Sequence, residues 1–137
     1  MAQRIKIVGV IKEEVGKPRN DGTRGSGLYA VPVRLSGSVS AREARMLEET
    51  WNHPPQFSTM HRPGICRVSG DRLVLDGTTV EEVEQYHAAT LRLVVDAVNQ
   101  AEAQEVERDR QREERKRAEG EAHMRHVDEV ADRIKFD

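Results

Sequence analysis

Residues 80–100 read VEEVEQYHAATLRLVVDAVNQ, and their spacing decides the fold. Val80, Val83, His87, Leu91, Val94 and Val98 recur at intervals of three and four, the period of one helical face. Tyr86, Thr90 and Val95 widen the stripe. Acids gather at its start, where the helix dipole favours negative charge. Thr78 or Thr79 is placed to cap the helix, with Glu81 or Glu82 at its third position. So broad an apolar face must be buried, and the preceding residues have to supply the layer that buries it.

That layer reads as short strands. Residues 3–12 interleave Ile5, Ile7 and Val10 or Ile11 with Arg4, Lys6 and Gly9, an alternation rich in β-branched residues. Residues 13–27, EEVGKPRNDGTRGSG, hold four glycines, a proline and the Asn20-Asp21-Gly22 turn signal, as a mobile hairpin connection does. A second strand spans 28–36. Its Pro32 lacks an N–H, which predicts an edge strand or pairing that begins after the proline. Ser40 with Glu43 forms a capping box. A short helix follows over 41–51, with Ala44, Leu47 and Trp51 on its inner face and Met46 beside them. Asn52-His53-Pro54-Pro55 ends it. Residues 65–69 and 72–75 read as a hairpin about Gly70-Asp71.

The resulting order, β-β-α-β-β-α, predicts an α+β fold: a small antiparallel sheet covered on one face by both helices. The apolar stripe ends by Val98, so residues 1–100 are expected to form the α+β domain and 101–137 a separate helical extension. In that extension helix formers continue without an inner face. Residues 107–117, ERDRQREERKR, carry six bases and four acids and no apolar side chain. Opposite charges recur three and four residues apart, as in Glu107–Arg110, Arg110–Glu114 and Glu121–Arg125. The helix is expected to be exposed from about 106 to 120, with Gly120 as a hinge. An amphipathic stripe returns at Val127, Val130, Ala131 and Ile134, the expected interface.

Composition excludes several classes of function. The chain has 137 residues, 36% hydrophobic and 34% charged, with a net charge of −2. Its mean hydropathy is −0.72 and its pI about 6.2. Such a balance gives no overall drive toward nucleic acid or anionic lipid. The basic residues of 107–117 are interleaved with acids and no aromatic side chain is available for stacking, which argues against nucleic acid. No apolar run is long enough to span a bilayer, and the N-terminus lacks the pattern of a signal peptide. A cytoplasmic protein without membrane attachment is expected. One cysteine, Cys66, leaves no intramolecular disulfide and no multi-Cys zinc site.

The loop 52–64, NHPPQFSTMHRPG, concentrates the residues that carry chemistry. His53, His61, Cys66 and His87 are metal-ligand types, but their spacing fits no zinc pattern, and no metal or other cofactor is expected. Cys66 sits mid-strand, where a free thiol is a small buried apolar group rather than a nucleophile. His53, Met60, His61 and Arg62 form the candidate ligand or partner loop. Arg62 offers a planar fork for a carboxylate or phosphate, and His61 titrates near neutrality. Pro63 and Gly64 shape the loop without them. The competing role for Arg62 is an internal clamp to Asp71, Asp76 or a helix C-terminus. Gly22, Gly25 and Gly27 precede a strand and lack the Lys-Ser/Thr pair of a phosphate loop.

Two functions follow as expectations. The first is a non-enzymatic interaction protein, an adaptor or accessory subunit that associates with a second copy or another protein through its C-terminal helix, as coiled coils do. The alternative is a small ligand-binding or hydrolytic domain centred on His53, His61 and Arg62.

Overall fold

The computed structural model describes residues 4–20, 22 and 25–137. The fold is α+β, a four-stranded antiparallel sheet with a long C-terminal helix. The strands are β1 (Ile7–Val10), β2 (Tyr29–Leu35), β3 (Cys66–Ser69) and β4 (Arg72–Thr78), in the spatial order β1-β2-β4-β3. Helix α1 (Ala41–Asn52) joins the two halves. After β4 come α2 (Val80–Glu82), a π-helical turn (Val83–His87) and α3 (Ala88–Arg133).

Alternation places one face of the sheet inside. Val31 lies opposite Leu75 and Val33 opposite Leu73. Cys66 and Val68 extend the same rows across β3. Leu47 and Trp51 of α1, with Val83, Leu91, Val94, Val95 and Val98, close the core over these residues. The other face mixes ion pairs with apolar residues: Arg34 and Arg72 both reach Asp71, Arg72 also pairs with Glu14, and Pro32 lies opposite Val74. An antiparallel sheet tolerates one solvated face in this way.

Local chemistry explains the element ends. The Ser40 hydroxyl accepts from the Glu43 N–H and the Glu43 carboxylate accepts from the Ser40 N–H, a complete capping box. Of the two threonines it is Thr79 that caps α2, accepting from the Glu82 N–H at 3.1 Å. Gly70 takes φ +62° at the first position of the β3–β4 turn, a conformation that costs glycine nothing. The Asn99 side chain holds the start of β1 by exchanging two hydrogen bonds with the Ile5 peptide, 3.0 and 2.8 Å.

Four expectations are corrected. β2 is an inner strand and not an edge, although its pairing with β1 begins after Pro32, at Val33, as the proline allows. The Pro32 carbonyl accepts from the Ile11 N–H on the β1 side, and β1 ends at Val10. The missing donor thus falls where that ladder has already ended, so an inner strand loses nothing by it. β2 therefore offers no free edge. The edge strands are β1 and β3; β1 is shorter than the 3–12 alternation predicts and carries a register irregularity between Ile7 and Gly9. Strand β4 runs on to Thr78 rather than stopping at Leu75, because Ala30 and Tyr29 of β2 continue to pair with Asp76 and Thr78. Finally, α3 passes through Gly120 as regular helix and ends at Arg133, so Ile134 is the first residue past it. A helical glycine costs about 1 kcal/mol, a penalty that does not by itself break a helix.

The connection before β2 is partly ordered by backbone pairing: the Gly16 N–H donates to the Ala30 carbonyl and the Arg19 N–H to the Leu28 carbonyl. The centre of the Asn20-Asp21-Gly22 turn, Asp21, lies outside the described residues, as does Gln3 at the start of the first alternation. Contacts divide the chain into two units, 1–100 and 101–137.

Candidate functional site

In the first unit the 52–64 loop is assembled around Trp51. This residue sits in the last turn of α1 with its ring fully buried. Its indole N–H donates to the Arg62 carbonyl at 2.9 Å, which folds the loop back onto the helix. The Asn52 side chain accepts from the Gly64 N–H at 2.7 Å, and Gly64 takes φ +83° to make the turn. The His61 ring lies 4.6 Å from Trp51 and 5.1 Å from Phe57 between centroids. His87, from the π-helical turn, meets Trp51 edge-on at 5.4 Å.

The Arg62 guanidinium points inward. One arm donates to the Gly77 carbonyl at 2.8 Å and the other to the Glu82 carboxylate at 2.9 Å. Glu82 is fixed in turn by the Thr78 hydroxyl at 3.0 Å. The pair is partly desolvated, with Arg62 29% and Glu82 15% exposed, so its hydrogen bonds are charge-assisted. Arg62 thus clamps the loop to the end of β4 and to the first turn of the following helix. The partner is Glu82, not Asp71 or Asp76; Asp71 serves Arg34 and Arg72, and Asp76 serves Arg19. Met60 is half-buried, and His53 is exposed as the cap residue of α1. The structure gathers Trp51, Phe57, His61 and His87 into one ring cluster; His53 is not one of its members.

Electrostatics in this cluster favour neutral rings. His87 is fully buried, and neither of its ring nitrogens has a hydrogen-bond partner among the described residues; His61 is half-buried beside it. Burial lowers the His61 pKa, opposed more weakly by the Trp51 backbone. Burial also lowers that of His87; the Glu82 charge opposes this, and Arg62 and His61 add to it. Each histidine then binds its proton more readily unfolded than folded. Stability is complete above the unfolded value of 6.5 and is lost as pH falls below it toward the depressed folded values. The urea midpoint is expected to fall between about pH 7.5 and about pH 5.5, and His87→Leu should flatten that fall. An unchanged slope in the variant would mean that His87 is not the group responsible.

Cys66 is buried, and desolvation, with a smaller push from Glu48, raises its thiol pKa to about 12. Such a thiol holds its proton at neutral pH and is a poor nucleophile. Among the described residues no three of His, Cys, Asp and Glu converge as a metal requires.

The second unit presents a different surface. Residues 101–133 are helical and almost wholly exposed. Arg110 bridges Glu107 at 2.6 Å and Glu114 at 2.5 Å, and Arg112 pairs with Asp109. Along the distal turns Met124 is 56% exposed, Val127 39% and Ile134 52%. Val130 is half-buried and Ala131 exposed. The stripe expected from the sequence omits Met124 and Gly120. Their signal is the spacing of Gly120, Met124, Val127, Ala131 and Ile134, which steps four, three, four, three. Among the described residues no helix is long and apolar enough to cross a membrane. Compared with known proteins, the chain matches no family model, no curated protein and no solved structure.

Proposed function

We propose that this chain is a non-enzymatic interaction protein, an adaptor or accessory subunit acting in the cytoplasm, and that residues 101–137 make the contact. One observation carries the reading: an apolar stripe lies exposed along a helix that has no second element in its own unit. Propensity and charge pairs hold such a helix only marginally, at a few tenths of a kcal/mol for each pair. Val127, Val130 and Ile134 gain nothing from helical alignment unless something covers them. Covered, each contributes roughly 1.5–3 kcal/mol before ordering costs. Summed over two chains, that offsets the cost of association at about micromolar concentration. The ligand-loop alternative lacks a comparable support, because the Arg62 fork is occupied by Gly77 and Glu82.

The test is the mass in solution of the full chain carrying Val130→Asp and Ile134→Asp. A shift toward monomer, with the thermal transition of the 1–100 unit retained, is the expected result. A dimer mass unchanged by both substitutions would remove the helix from the interface and leave a sheet edge, β1 or β3, as the candidate.

A further inference from the structure

The stripe on the distal helix has the form of one particular seam. Gly120, Met124, Val127, Ala131 and Ile134 follow the four-three alternation of a heptad, with Met124 and Ala131 at a positions and the other three at d positions. Lys116 and His123 then fall at g, and Glu121 and Asp128 at e. From these placements we infer that the partner of this helix is a second copy of the same chain, aligned parallel and in register over about residues 120–134, with Lys116 flanking the seam. The inference rests on the reading of 101–137 as the contact segment and names its partner.

Charge selects the arrangement. In a parallel pair each g residue meets the e residue five positions later on the other helix. Lys116 then faces the second copy's Glu121, and His123 faces its Asp128; opposite charges or a charge-assisted hydrogen bond join both. The two antiparallel registers that overlap most of the seam set Glu121 against Asp128, or Asp128 against itself. Like charges there oppose pairing.

The same rule sets the upstream limit. Extending the frame places Asp109 against the second copy's Glu114 and Glu102 against its Glu107, both like-charged. It also places Arg110, Glu113 and Arg117 on the seam itself. Arg110 is already taken by Glu107 and Glu114 of its own helix. The packed seam therefore begins after Arg117, at Gly120, and the exposed charged turns before it stay solvated. Downstream the helix ends at Arg133, and the Ile134 N–H donates to the Ala131 carbonyl at 3.2 Å, which keeps Ile134 against the last turn.

Gly120 is the weak layer of this seam. A Cβ built there meets nothing within 4 Å, and the backbone is regular helix, so a larger side chain is admitted without strain. On the seam, a leucine at 120 would be covered by its counterpart.

The experiment uses the full chain and sedimentation equilibrium. Lys116→Glu and Glu121→Lys should each weaken the dimer by about threefold, and the two together should restore it. Gly120→Leu should tighten the dimer by at least about tenfold. Under mild oxidation Ala131→Cys should give a disulfide-linked dimer, and Glu129→Cys, on the outer face, should not. A dimer lost on Val130→Asp with Ile134→Asp, yet neither restored by the charge exchange nor cross-linked at 131, keeps the helix as the contact and overturns the parallel pairing. A chain that stays monomeric at all concentrations overturns both.

Discussion

Replacing Trp51 by alanine is expected to cost about 3–5 kcal/mol of folding stability, the upper range for aromatic truncation in a core. Trp51 is fully buried against the rings of His61 and His87. Its removal leaves a cavity at the junction of α1, the loop and the π-helical turn. It also strips the Arg62 carbonyl of its indole donor, and an acceptor left dry adds to the loss. Leu91→Ala, another fully buried position, should cost about 2–5 kcal/mol, whereas Arg115→Ala on the exposed helix should stay within about 0.5 kcal/mol. Urea titrations of the three variants measure this directly. Equal losses in all three would overturn the division into core and surface.

Arg62→Ala is expected to cost about 2–3 kcal/mol, more than any exposed ion pair in the chain. Its loss leaves the Glu82 carboxylate, 15% exposed, with only the Thr78 hydroxyl, and leaves the Gly77 carbonyl without the guanidinium. Lysine should rescue only part of the loss, since a single ammonium lacks the planar fork that spans both acceptors. Glu82→Gln, which keeps an acceptor for Thr78 but removes the charge, should fall between wild type and Arg62→Ala. Denaturant midpoints of the three variants decide the matter. An Arg62→Ala chain as stable as wild type would release the guanidinium from its clamp and return the loop to the ligand reading.

Periodicity made most of the fold legible. The three-and-four spacing from Val83 to Val98 identifies the covering helix, although Val80 at its start is exposed, and the two-residue alternation around Val31, Val33, Leu73 and Leu75 identifies the sheet's inner face. Signals confined to a few residues also read correctly, as the Ser40–Glu43 capping box does. What the sequence hid was pairing between distant residues. Arg62 and Glu82 are 20 positions apart and meet because the β3–β4 hairpin sets Cys66 opposite Leu75, bringing the residues before β3 beside those after β4. Glu43 completes a local cap and also holds Arg4 from 39 positions away. Pro32 misled for the same reason, since its cost depends on where the neighbouring ladder ends. The π-helical turn left no trace either, because four residues separate Val83 from His87 in both helical forms.

The central claim is that association, and not the 1–100 fold, orders the distal helix. Amide hydrogen exchange of the full chain, followed at two concentrations about a hundredfold apart across the micromolar range, tests it most directly. Protection over residues 120–134 should rise with concentration, while protection of β2, β4 and the Leu91–Val98 turns stays constant. Equal protection of 120–134 at both concentrations would contradict the account.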